Sequence, residues 1–216
     1  AFVQSAFNTM SQIKIHNVND GSAFDLTTDR ANSFNPKWSP DCQFIYFLSD
    51  RSFTTLVGSP WGTRQPEPYW DASEKVYHVA LKKGTRSPFR EDDELMSEDK
   101  EATKEGTSSK KKKKGKEDED EDKLVVKIDK TGIQSRIIEV PISAGNYNGL
   151  AVNDKALYMM ARETGLNAKS HLKVVKIAND DVKVKNMASE VNGFEMTLDG
   201  KKLLVRKGRT YYMVDA

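Results

Sequence analysis

The chain carries a single cysteine, Cys42. That excludes a disulfide framework and any cysteine-based zinc site. Histidine is scarce as well: His16, His78 and His171 stand far apart, in no metal-ligand spacing. No apolar run approaches the ~18 residues of a membrane-spanning helix. Neither sign of charge dominates, because 34 Lys and Arg meet 32 Asp and Glu for a net charge of +2. An excess that small gives no electrostatic footprint for nucleic acid, so neither nucleic acid nor a membrane is an expected partner. Glycine-rich phosphate cradles and nucleotide fingerprints are missing, and no cofactor is expected. No signal peptide opens the chain. It begins at Ala1 rather than Met, and so is expected to be a piece of a longer protein. No segment keeps a 3.6-residue apolar period long enough to make a helix.

What remains is strand signal, interrupted by one polar block. From Glu91 to Lys123 almost nothing apolar occurs except Leu95, Met96 and Ala102. A block of that kind buries too little apolar surface to offset its ordering entropy and reads as a disordered insertion. Five lysines, Lys110 to Lys114, face an acidic run, Glu117 to Asp122, whose field largely cancels theirs. Outside the block, short β-branched or aromatic runs alternate with Gly, Asn, Asp or Pro. Ile13, Ile15 and Val18 mark the first, with Gly21 as the turn after it. Phe44–Leu48 and Val76–Leu81 follow, then Leu124–Ile128, Ile137–Ile142, Leu150–Val152 and Ala156–Met160. Leu172–Ile177, Val182–Met187, Phe194–Leu198, Leu203–Val205 and Tyr211–Val214 complete the set. The fold class is all-β.

A repeat organises these strands. Trp38-Ser39-Pro40-Asp41 leads into Phe44-Ile45-Tyr46-Phe47, and Met196-Thr197-Leu198-Asp199-Gly200 leads into Leu203-Leu204-Val205. A weaker copy runs from Ala151 to Met159, with Asn153 in the Asp position. In each copy a strand ends, a polar turn reverses the chain and an apolar strand follows. Asp or Asn suits the turn because its side chain bonds nearby amides, and Gly200 suits a position needing φ > 0. About 46 residues separate Asn153 from Asp199, close to the ~40–45 of a four-stranded propeller blade. With the charged block and a second excursion, Ser52–Glu74, removed, the interval from Asp41 to Asn153 is also roughly one blade. The reading is a partial β-propeller of about three four-stranded antiparallel blades, the central one carrying two insertions. Residues 1–90 hold the first blades, 91–123 the insertion and 124–216 the remaining blades.

The Trp38–Phe47 stretch resembles the repeat of propellers in TolB, prolyl oligopeptidases and tricorn proteases. A narrower likeness lies in Phe47-Leu48-Ser49-Asp50-Arg51, Gly58-Ser59-Pro60-Trp61-Gly62 and Arg64-Gln65-Pro66-Glu67-Pro68. Lys83-Gly84, Ser87-Pro88-Phe89 and Gly132-Ile133-Gln134-Ser135-Arg136 extend it, as do Val140-Pro141 and Gly145-Asn146-Tyr147. These resemble the second, larger propeller of tricorn-type serine peptidases. The resemblance implies an oligomeric peptidase with two propellers, a PDZ-like module and catalytic domains that carry the nucleophile and base. It also implies propellers that filter or channel peptides, with a cytoplasmic location (periplasmic or secreted as the alternative). This chain would then be a non-catalytic segment that gates or guides peptides, with the parent's other domains as partners. The alternative is a stand-alone TolB-like scaffold for protein–protein interaction. The family's second propeller is larger than this chain, and the charged insertion is longer than the family leads one to expect.

No catalytic, cofactor-binding or metal-ligating residue is expected here. Gly58-Ser59-Pro60-Trp61-Gly62 is not a nucleophile elbow, which needs G-x-S-x-G. Pro60, Pro66 and Pro68 stiffen that loop, and Trp61, Tyr69 and Trp70 are expected to cover blade edges or touch peptide. His78 is expected to face solvent or a neighbouring strand, and His16 sits similarly in the first strand pair. Cys42 falls in a turn with no cation beside it to activate a thiolate. Asp50 and Arg51 are expected to form a local ion pair at a strand end.

Overall fold

The computed structural model of the chain describes residues 1–52, 71–92 and 126–216. Among them are fourteen strands and no α-helix, with one 3-10 turn at Ile133–Arg136. The strands form four sheets. The first holds β1 (Phe2–Ser5), β2 (Ser11–His16) and β3 (Ala23–Asp25). The second holds β4 (Ser33–Trp38), β5 (Phe44–Ser49), β6 (Lys75–Ala80) and β7 (Ile137–Glu139). The third holds β8 (Asn146–Val152), β9 (Ala156–Arg162), β10 (Ser170–Lys176) and β11 (Val184–Ser189). The fourth holds β12 (Gly193–Met196), β13 (Lys202–Lys207) and β14 (Thr210–Asp215). Every pairing is antiparallel and joins strands consecutive in sequence. Residues 53–70 fall between β5 and β6 and residues 93–125 between β6 and β7, so both interrupt the second sheet. The expectations placed on Ser59, Trp61, Tyr69, Trp70 and the charged block therefore lie outside the described residues.

The sheets stack face to face, and their first strands lie side by side: β1 by β4, β4 by β8, β8 by β12. Three apolar layers fill the gaps. Ile13, Ile15 and Leu26 of the first sheet meet Ile45, Phe47 and Tyr77 of the second. Phe44, Tyr46 and Leu48 on the other face of β5 meet Tyr147, Leu150 and Leu157 of the third. Tyr158, Met160 and Leu172 then meet Leu203 and Val205 of the fourth. This explains why Phe44–Leu48 is a continuous apolar run rather than an alternating one. Both faces of β5 are buried, so both phases of the pleat must be apolar. Each such large side chain contributes about 1.5–3 kcal/mol over its exposed state.

Three strands lack the expected signal. β1 is exposed and short, and β3 has three residues. β4 contains Pro36, which cannot donate to a ladder. The strand accommodates it as an edge of its sheet, with a register break between Phe34 and Lys37 and Asn35 at φ 52°. Two expectations are corrected. Val18 lies in the exposed turn between β2 and β3, not in a strand. Residues 126–128 belong to no strand, although 124–128 carries a strand-like pattern; Ile128 instead packs beside the first apolar layer.

Candidate functional site

The repeated turns connect the first and second strands of their sheets. In the second sheet the Ser39 Oγ donates to Asp41 Oδ1 at 2.5 Å and accepts from the Phe44 amide at 2.9 Å. Asp41 Oδ1 also accepts from the Gln43 amide at 3.0 Å. Thr197 and Asp199 repeat the arrangement: 2.6 Å between Thr197 Oγ1 and Asp199 Oδ1, and 3.1 Å from each of the Lys201 and Lys202 amides. These bonds hold the Asp199 carboxyl below its ordinary range, Thr197 being the largest cause. The residue after the aspartate lies in the left-handed region, Cys42 at φ 54° and Gly200 at φ 66°. Asn153 performs both parts in a shorter turn. Its Oδ1 accepts from the Lys155 and Ala156 amides at 3.0 and 2.8 Å, and its Nδ2 donates to the Gly200 carbonyl at 2.9 Å. The third and fourth sheets are thus bonded turn to turn.

A fourth copy went unread in the sequence. Between β1 and β2 the Thr9 amide donates to the Ala6 carbonyl, as Cys42 does to Ser39 and Gly200 to Thr197. The Met10 amide donates to Asn8 Oδ1 at 3.1 Å, and Thr9 has φ 70°. Ala6 replaces the hydroxyl residue and Asn8 the aspartate, which removed the pattern from view. An Asn or Asp three residues ahead of the second strand is the surviving signal.

The ends of β4, β8 and β12 and their turns frame a groove of about 710 Å³. Trp38, Val152, Phe194, Met196 and the fully exposed Leu198 supply the apolar part of its lining. Asn35, Lys37, Asp154 and Glu195 give it polar edges. Such a surface can hold an extended chain through side-chain contacts and leave its backbone solvated. Trp38, Val152, Phe194 and Met196 are placed by the registers of first strands, whereas Leu198 and Asp154 stand on the turns that follow.

The residues weighed for chemistry do not meet. His16 closes β2 in the first sheet, His78 lies in β6 of the second and His171 in β10 of the third. His171 Nε2 stands 2.8 Å from Glu163 Oε1, and its proximity lowers the Glu163 carboxyl. No group of three metal-binding side chains occurs among the described residues. His78 does not face solvent, as one expectation had it. It is fully buried, between Phe44, Tyr46 and Phe89 at ring distances of 5.6, 5.8 and 5.5 Å. Burial pushes its pKa down to about 4, and neither ring nitrogen has a hydrogen-bond partner among the described residues. The reason is register: His78 lies opposite Tyr46 in the layer between sheets, where Val174 lies opposite Tyr158. Asp50 and Arg51 also depart from expectation. Asp50 accepts from the amide and Nδ2 of Asn32 at 2.9 and 2.7 Å. The Arg51 guanidinium turns onto the rings of Phe47 and Tyr77, 5.3 and 5.0 Å from their centroids, where cation–π attraction holds it. Burial lowers its pKa. Cys42 occupies its turn as expected.

Consecutive antiparallel sheets, stacked face to face with their first strands adjacent, define an open propeller arc. The chain belongs to the family of the tricorn protease second beta propeller domain, whose model matches residues 1–216. It is 28% identical over 210 residues to the tricorn protease of Thermoplasma volcanium, a match covering 92% of this chain and 17% of that protein. The crystal structure of the tricorn protease superposes with a TM-score of 0.68 at 17% identity, over 95% of this chain and 18% of that one. At that identity the structural likeness establishes the fold alone. The chain spans about a sixth of the curated relative's length.

Proposed function

We propose that this chain is a non-catalytic propeller segment that guides peptides toward a catalytic domain elsewhere in a tricorn-like serine peptidase. The four sheets are then consecutive blades of one propeller, two of them with four strands and two with three. The groove framed by β4, β8 and β12 is the observation that carries the reading. Its mixed apolar and polar lining, open to solvent, suits extended peptides of varied sequence, because binding surfaces are commonly loops positioned by a rigid scaffold. Family membership supports a peptidase parent. Oligomeric assembly and a cytoplasmic location rest on the family resemblance.

Leu198 tests the reading, since it is fully exposed and its replacement leaves the core intact. In the intact protein, Leu198→Asp should weaken binding of a fluorescein-labelled unstructured peptide by roughly fivefold, the size of a contact worth ~1 kcal/mol. Anisotropy titration measures it, and an unchanged affinity would remove the groove from the proposal. Peptide binding by an intact protein that hydrolyses nothing would favour the scaffold alternative.

A further inference from the structure

A second cleft, of about 300 Å³, lies beside the groove, between turns of the second and third sheets. Its walls come from separate places in the chain. Phe44 and Tyr46 stand two residues apart on β5, so one face of the pleat presents both. Pro40 and Asp41 belong to the turn before β5, and Asn153 and Asp154 to the turn before β9. Ile177 follows β10 and is tied to that second turn, its amide donating to the Lys155 carbonyl at 2.8 Å. Pro88 comes from the chain leaving β6, where the Phe89 amide donates to Ser87 Oγ at 3.2 Å. Ser39, Pro40 and Asp154 line both cleft and groove, so the two adjoin.

The polar groups on these walls divide into those already bonded and those still open. Ser39 Oγ is committed to Asp41 and Phe44, and the Asn153 amide to Lys155, Ala156 and Gly200. Asp41 uses only Oδ1, on Ser39 and the Gln43 amide. Its Oδ2 accepts nothing from a described residue, and Asp154 has no hydrogen bond or ion pair among them. Tyr46 is 1% exposed, yet its hydroxyl likewise has no partner among the described residues. Burial, and after it the charge of Asp41, raises the Tyr46 pKa, so the hydroxyl keeps its proton and lies in the field of that carboxylate. No Lys or Arg among the described residues lines the cleft. Two carboxylates and a buried hydroxyl thus border apolar walls that supply no counter-charge.

We propose that this cleft is a subsite for one basic side chain, Lys or Arg, of a peptide lying in the groove. The methylene stem packs on Phe44, Ile177 and the two prolines, as such stems do on apolar surface. The charged head donates to the Tyr46 oxygen and meets Asp41 and Asp154, and the aromatic rings add cation–π attraction. A cleft of this size is at the small end of ligand pockets and holds one side chain rather than a peptide segment. An acidic side chain is repelled there, and a neutral apolar one gains nothing from the carboxylates. The proposal rests on the groove reading for its peptide, and the experiment separates the two.

Three fluorescein-labelled unstructured peptides, identical except for a central Lys, norleucine or Glu, are titrated against the intact protein by anisotropy. Norleucine keeps the stem of Lys without its charge. The Lys peptide should bind on the order of tenfold tighter than the norleucine peptide, with the Glu peptide weakest. Asp154→Asn should remove most of that preference by weakening the Lys peptide alone, and because Asp154 is exposed the variant keeps its core. Asp41→Asn retains an oxygen for the turn amides while removing the second charge. Equal affinity for the Lys and norleucine peptides overturns the subsite but leaves the groove, provided that Leu198→Asp still weakens both. A Lys preference that survives Asp41→Asn combined with Asp154→Asn also overturns it, by placing the attraction elsewhere. Failure of all three peptides to bind overturns groove and subsite together.

Discussion

The second and third sheets share one plan and fill it with different residues. β5 and β6 supply Phe44, Tyr46, Phe47, Tyr77 and His78; β9 and β10 supply Leu157, Tyr158, Met159, Met160, Leu172 and Val174, Tyr158 standing at the position of Tyr46. The aromatic sheet is the one interrupted twice. The chain leaving β6 folds Phe89 over His78 and Tyr46, a cover with no counterpart over Val174, which stays partly exposed. A blade is therefore specified by which faces are buried, and the excursions decide how deeply. An imidazole is tolerated at the Val174 position because aromatic rings enclose it and it stays neutral.

The largest test of this comparison is truncation of the core on each side. Phe47→Ala should cost about 3–5 kcal/mol and Met159→Ala about 2–5, both measured by urea denaturation. A larger loss at Met159 would reverse the view that the aromatic sheet is the better packed.

His78→Val makes the second sheet resemble the third. The folded pKa of His78, about 4, lies below the ordinary 6.5. Between those values the unfolded chain binds the extra proton, so stability falls as pH drops through 6.5 and levels off below about 4. The slope is ~1.4 kcal/mol per pH unit at most, so the gain from the variant should grow toward roughly 3 kcal/mol across that window. Denaturation midpoints taken through the window check it; a difference that stays constant with pH would mean His78 is not held neutral by burial.

The turns give a smaller contrast. Asn153 is buried and bonds two amides and a carbonyl of the next sheet, whereas Asp41 is exposed. Asn153→Ala should cost about 2 kcal/mol and Asp41→Ala about 1. Equal losses in thermal melts would show that the link to Gly200 adds nothing.

The smallest effect concerns the left-handed turn position. Cys42→Gly should gain a few tenths of a kcal/mol, as strain relief narrowly exceeds the added freedom of the unfolded chain. Gly200→Ala should lose about 1 kcal/mol or more, since a Cβ there would also lie 3.2 Å from the Cβ of Asn153. Paired melting curves distinguish them by sign.

Strands buried on both faces or cleanly alternating were legible, because burial writes itself into local hydrophobicity. β4 was not, because Pro36 and Asn35 argue against a strand unless one knows that its edge is free and bulged. The Asp turns were read where a hydroxyl residue and an acid stood together. The Ala6–Met10 copy is hard to see because Ala6 stands where the other copies have a hydroxyl residue, leaving only Asn8 of the pair. Of the groove, Trp38, Leu198 and Asp199 belonged to motifs already singled out, yet their convergence with Phe194 and Asp154 depends on how sheets stack. Whether His78 faces solvent or a neighbouring strand was not legible, because alternation gives a residue's phase but not which phases are covered; it packs on Tyr46 of the neighbouring strand.

The amino-acid sequence by itself determined the all-β class, most strand positions and the Asp-turn repeat. These follow from pleat periodicity and turn chemistry, which act over a few residues. The tertiary structure alone decided the order of sheets around the arc, the burial of His78, and the turning of Arg51 from Asp50 onto two aromatic rings. Those outcomes depend on contacts between residues distant in the chain, where the partner that lowers a side chain's free energy is supplied by packing rather than by its neighbours in sequence.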